Sequence, residues 1–135
     1  MASVLKVDSI TGVTTAGSIN VTGEGNSTTT NLQQGLAKAW GNISGSGTAT
    51  LDNSLNVSSL TDHGTADYSI NFSNVYSNAS VCTTALAINM GSGDRLYATL
   101  NASGTTTATR VATFDEDGNG VDSGEVNILT HGDLA

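Results

Sequence analysis

Apolar residues along this chain fall in short runs, and the clearest run alternates strictly. In Asp67-Tyr-Ser-Ile-Asn-Phe72, Tyr68, Ile70 and Phe72 share one face, while Ser69 and Asn71 share the other. A period of two marks a strand buried on one side. The same spacing turns Leu96, Ala98 and Leu100 inward in a second run, and Val126 and Ile128 in a third. Strands are predicted at 36–43, 48–51, 55–61, 67–72, 80–89, 95–101, 106–114 and 120–130. The joints carry turn chemistry: Gly45-Ser-Gly47, Asp62-His-Gly64, Gly91-Ser-Gly-Asp94, Ala102-Ser-Gly104 and Asp117-Gly-Asn-Gly120. Glycine supplies positive φ at such joints, and Asn, Asp and Ser bond their own backbone. Eight short strands at this spacing predict an all-β domain, an antiparallel β-sandwich or jelly-roll-like fold, over residues 31–135.

Residues 1–30 read differently. The runs 4–7 and 18–22 could each form one short strand, separated by stretches rich in Gly and Thr. Thirty such residues cannot close a core of their own. Leu5, Val7, Ile10, Ile19 and Val21 are nevertheless too apolar for a bare linker. The expectation is an extended N-terminal arm that attaches to other chains or trimerises. Between arm and sandwich, Leu32 and Leu36 lie four apart behind Thr30 and Asn31, which predicts a helix of one or two turns. Gly35 weakens it.

Composition sharpens this picture. In 135 residues there are 16 Gly, no Pro and 4% aromatics. So few bulky side chains give a thin core for a lone chain, and self-association is one physical remedy, so a homo-oligomer is expected. Charged residues make up 12%, about half the usual share, and the net charge is −8. That balance repels phosphate backbones and lacks a basic stripe, so neither nucleic acid nor an anionic membrane is an expected partner. No apolar run approaches the roughly 20 residues of a membrane helix, and the N-terminus does not read as a signal peptide.

Candidate chemistry is sparse. The loop Asp115-Glu-Asp-Gly-Asn-Gly-Val-Asp-Ser-Gly-Glu-Val126 matches the first half of a calcium loop through Asp115, Asp117, Asn119 and Gly120. Its twelfth position, where a bidentate Glu belongs, is Val126, and Glu125 comes one residue early. A hydrated hairpin tip turning at Asn119-Gly120 is the preferred reading, and no metal site is assigned. His63 sits in a predicted turn and His131 near the chain end, and neither has a nucleophile and orienting group in its own motif. No catalytic residue is assigned, no cofactor is expected, and the chain is not read as an enzyme. Carboxylate pairs for sugar cleavage would be distant in sequence, but polysaccharide-degrading spikes usually need a longer β-helical platform. Cys82, the lone cysteine, is expected to be a small buried hydrophobe, and Trp40 a core anchor. The glycan sequons at Asn26, Asn42, Asn56, Asn71, Asn78 and Asn101 follow from an Asn- and Ser-rich composition.

Longer words in the chain carry a resemblance. Asn31-Leu-Gln-Gln-Gly-Leu-Ala-Lys-Ala-Trp40, Asn56-Val-Ser-Ser-Leu-Thr-Asp62, Asp67-Tyr-Ser-Ile-Asn-Phe72 and the closing His131-Gly-Asp-Leu-Ala135 are similar to a domain of marine bacteriophage tail-fibre and virion-fibre proteins. The opening Ser3-Val-Leu-Lys-Val-Asp8 resembles how many such proteins begin. The resemblance implies a trimeric structural protein of the virion, assembled in the host bacterial cytoplasm. Its arm would hold other virion proteins of tail or capsid, and its loops would meet a host surface glycan or protein. The candidate loops are 62–65, 91–94, 102–104 and 115–124. Tail fibres carry a long shaft, and only a short arm precedes the module here. The implied object is therefore a short fibre or knob involved in host attachment, with a capsid decoration or head-fibre protein lacking receptor binding as the alternative.

Overall fold

The computed structural model describes residues 4–12, 19–22, 29–88, 96–102 and 104–134. The chain divides into two compact units, Met1–Leu36 and Ala37–Ala135.

In the first unit, β1 (Asn20–Thr22) pairs antiparallel with β2 (Thr29–Asn31), and Val21 lies opposite Thr30. One helical turn, α1 (Leu32–Gly35), follows, and the Leu32 amide donates to the Ile19 carbonyl at 2.8 Å. The run 4–7 forms no strand, contrary to its pattern. Alternating residues become a strand only when a partner supplies the ladder bonds, and among the described residues no strand pairs with this run.

The second unit is a β-sandwich. Its first sheet has the order β4 (Thr50–Leu55), β3 (Ala39–Ser44), β10 (Glu125–His131), β7 (Cys82–Ile88). Its second has the order β5 (Val57–Gly64), β6 (Asp67–Phe72), β9 (Ala108–Phe114), β8 (Tyr97–Leu100). Every pairing is antiparallel. All eight predicted strands of residues 31–135 are present; β6 has the predicted bounds, the others differ at one end or both, and residues 89 and 95 of two predicted strands lie outside the described residues. The chain crosses from the first sheet to the second through one residue, Asn56, at φ 55°. Asn tolerates the left-handed region better than most residues. Its side chain then fastens the corner: Oδ1 accepts from the Asn74 amide at 2.7 Å, and Nδ2 donates to the Asn74 carbonyl at 3.1 Å.

Tyr68, Ile70 and Phe72 point into the core with Ile43, Tyr76, Val111, Val126 and Ile128. The alternation in 67–72 and in 126–128 therefore reads as expected. Leu100 does not: it is 49% exposed, because β8 is an edge strand with a neighbour on one side only. Cys82 is exposed rather than buried, since it begins edge strand β7 on the outward side, in step with exposed Thr84 and Leu86. Trp40 is half-buried on the outer face of β3, while Ala39, Gly41 and Ile43 take the inward positions. The bulk expected of Trp40 comes instead from Tyr68 and Tyr76, both fully buried. The Tyr76 ring meets Phe72 edge-on at 4.8 Å, and its hydroxyl lies 2.5 Å from Thr130 Oγ1.

Truncating Ile70 or Ile128 to Ala should cost about 2–5 kcal/mol of unfolding free energy by urea titration. Leu100→Ala should cost less than about 1 kcal/mol in the same assay.

Candidate binding surface

The hairpin registers sort the loops between the two ends of the sandwich. At one end lie the β3–β4 turn at 45–49, the β5–β6 turn at 64–66 and the 115–124 loop. The Gly45 amide donates to the Ser123 carbonyl at 3.0 Å, and the Thr113 amide to the Ala66 carbonyl at 2.9 Å. Asp122 ties these loops together. Its Oδ1 accepts from the Ala66 amide at 2.8 Å and from the Tyr68 hydroxyl at 2.9 Å. Burial, reinforced by the Asp122 carboxylate, pushes the Tyr68 hydroxyl well above its ordinary range, so it stays a donor. The close approach leaves no room for a side chain at Gly45: a Cβ there would sit 2.5 Å from Tyr68 Oη and 2.7 Å from the Ser123 carbonyl. Ala66 itself has φ 68°, a left-handed backbone that costs an L-residue about 1–2 kcal/mol. Its amide and carbonyl are both bonded, and these bonds hold it there.

The acidic loop closes on itself. Asp115 Oδ1 accepts from the amides of Asn119 at 2.8 Å and Asp117 at 3.0 Å, and Asn119 Nδ2 donates to Oδ2 at 3.1 Å. The Asn119 amide bond, above all, holds the Asp115 carboxyl below the usual carboxylate range. Glu125 points along the first sheet, where Oε1 accepts from Asn42 at 2.7 Å and Asn127 at 2.8 Å. Asp115 and Glu125, the two ends of the tested calcium loop, are thus engaged with backbone and amides. Among the described residues no group of three His, Cys, Asp or Glu could hold a metal ion. The turn also differs from the Asn119-Gly120 expectation. Gly118 takes the positive φ of 84°, while Gly120 bridges to Phe114. Asp115 bonds to the loop's amides select that register.

Of the candidate loops, 62–65 and 115–124 meet at this end, and 91–94 lies outside the described residues. The 102–104 loop, of which Ser103 lies outside the described residues, is at the opposite end. There Asn101 N donates to the Arg110 carbonyl, and Thr105 N to the Ala108 carbonyl. The β3–β4 turn belongs to the loop end, a placement that only the β10 registers reveal. Its Gly45-Ser-Gly47 motif was visible, but not its neighbours.

The outer face of the second sheet carries polar groups around Asp67 and Arg110, and an aromatic pair, Tyr97 and Phe114, where β8 meets β9. Arg110 grips Asp67 through two bonds, Nε to Oδ1 at 2.7 Å and Nη2 to Oδ2 at 2.5 Å. The guanidinium holds the Asp67 carboxyl below its ordinary 3.8. His63, in β5 rather than in the turn, lies 2.9 Å from Ser69 Oγ through Nε2. Ser69 is buried, so that hydroxyl is not offered to a substrate. His131 ends β10 opposite Cys82. Tyr97 stacks on Phe114 at 5.5 Å.

No known protein family matches the chain, and no curated relative or solved structure similar to it was found.

Asp122→Ala should speed hydrogen exchange at the Ala66 amide and cost about 1–3 kcal/mol, since it leaves buried Tyr68 only the longer bond to the Gly45 carbonyl at 3.4 Å. Asp67→Asn should lower the melting temperature at neutral pH. A depressed carboxylate pKa stabilises the fold above the unfolded value and loses that effect as pH falls through the folded one. The gap between wild type and Asp67→Asn in thermal melts should therefore close as pH drops below about 4.

Proposed function

We propose that this chain is a structural protein of a bacteriophage virion, a short fibre or knob that takes part in host attachment as a homotrimer. Residues 1–30 serve as the arm that fastens it to tail or capsid. The observation that carries the reading is the polarity of the sandwich. The chain enters at Lys38, whose amide bonds the Thr130 carbonyl, and β3 then runs toward Gly45 and the loop end. A domain held by its leading segment therefore presents 45–49, 62–66 and 115–124 away from its attachment. The fibre-like words in 31–40, 56–62 and 67–72 support the same reading. They lie in the unit junction and in β5 and β6.

The loop end suits a hydroxyl-bearing glycan. Asp62, Glu116 and Asp117 are exposed carboxylates. Each such contact is weak, and a threefold assembly multiplies them through effective concentration.

Gold-labelled antibody against the purified chain should decorate intact particles at discrete projections, and excess free protein should slow adsorption to the host. Label spread over the head with adsorption unchanged would favour the decoration reading. Particles without label would end both.

A further inference from the structure

We infer that the outer face of the second sheet, from the Tyr97–Phe114 pair to the Asp67–Arg110 pair, binds a pyranose ring of a neutral glycan. This rests on the attachment reading above and names where on the domain the sugar sits. The registers bring the groups together. Phe114, Ala112 and Arg110 alternate along the outer side of β9. Tyr97 lies opposite Phe114, and Ala112 lies between Thr99 on β8 and Asp67 on β6. Two residues of strand advance about 7 Å, so Asp67 stands one such step from the aromatic pair and Arg110 two. Ala112 is only 5% exposed although it faces outward. Its larger neighbours close over that methyl group, so rings and charges form one continuous surface. At the border of this surface a Cβ on Gly118 would lie 3.9 Å from Tyr97 Oη, which places the acidic loop beside it.

The surface pairs an apolar patch with fixed hydrogen-bonding groups. A pyranose carries the complement: C–H groups on a ring face and hydroxyls at its rim. Phe114 holds one side of the Tyr97 ring, yet Tyr97 remains 45% exposed. A ring already held offers contact area with little further loss of rotamer freedom. Arg110 and Asp67 lock each other through two bonds, and the Asn101 side chain reaches the same carboxyl. Asp67 takes two of the five guanidinium N–H groups, and 39% of the Arg110 side chain is exposed. A sugar hydroxyl both donates and accepts, so neighbouring hydroxyls can bond guanidinium and carboxylate together. Charge selects a neutral ligand. The pair balances itself, so an ionic ligand would have to displace one partner, and a chain of net charge −8 repels anions. An apolar protein surface would strip water from both charges and return no bonds.

The test is amide NMR of the isotopically labelled full chain, titrated with the methyl glycosides of glucose, galactose, mannose and N-acetylglucosamine. Few contacts bind weakly, so sugar concentrations on the order of 10 mM are needed. At least one glycoside should shift the amides of Thr99, Asn101, Ala112 and Gly118 saturably and leave β3 and β4 unmoved. Tyr97→Ala should weaken binding about tenfold, and Tyr97→Phe, which keeps the ring, should restore most of it. If Tyr97→Ala fails to fold by its melting curve, Arg110→Gln decides by the same tenfold loss. A folded Tyr97→Ala with wild-type affinity overturns the inference. So do saturable shifts confined to the first sheet around Trp40, or no saturable shift with any of the four. Virion labelling separates this from the attachment reading. Particles that carry the chain while no sugar binds leave display standing without this site. Sugar binding by a chain that no particle carries upholds the site and ends the virion assignment.

Discussion

Two buried tyrosine hydroxyls hold the sandwich at its two ends, and much of the architecture follows from their need for partners. The chain has little aromatic bulk, and Tyr68 and Tyr76 are its largest fully buried side chains. A phenol carried into the core costs more than it contributes unless its hydroxyl is bonded. Tyr68 reaches Asp122 at the loop end, and Tyr76 reaches Thr130 where the chain enters. Thr130 passes the contact on to the Ala39 carbonyl at 3.2 Å. Tyr68, on β6 of the second sheet, is thus tied to the loop that leads into β10, and Tyr76, in the loop before β7, is tied to β10 of the first sheet; among the described residues no buried side-chain polar atom lacks a partner.

Small residues complete the fit. With Ala39, Gly41 and Ala87 on inward positions, the sheets approach closely enough for Ile70 to reach Gly41; a Cβ there would lie 3.2 Å from Ile70 Cγ2. A thin core of this kind satisfies the interior but leaves larger apolar side chains on the outside. Trp40, Leu86 and Leu129 face outward while the inward slots of their strands hold smaller or β-branched residues, and Leu55 faces outward on β4, where Leu51 packs inward.

The two sheet faces and the two ends therefore have different characters. One sheet exterior is apolar and uncharged along its central row. The other carries an ion pair and a hydroxyl–amide network. One end receives the chain, and the other collects the acidic turns. The fibre or knob proposed above would need a place to be held and a place to present, and the two ends of the sandwich differ in that way. The proposed virion role draws its physical support from that division.

The chain's pattern alone placed the strands of the sandwich and named the inward residues of 67–72 and 126–128, because an alternation of period two commits a half-buried strand to one face whatever its neighbours are. It also marked the turns, since glycine and Asx residues act locally. Partners were decided by tertiary structure. Cys82, Leu100 and Trp40 sit where strand order puts them, at edges or on an outer face, and order is not encoded within any single strand. The knot of Asp122, Ala66 and Tyr68 spans more than fifty positions of sequence, and no local pattern announces it. Residue periodicity says which side of a strand is greasy; only the packing of two sheets says which greasy side is covered, because burial belongs to pairs of surfaces.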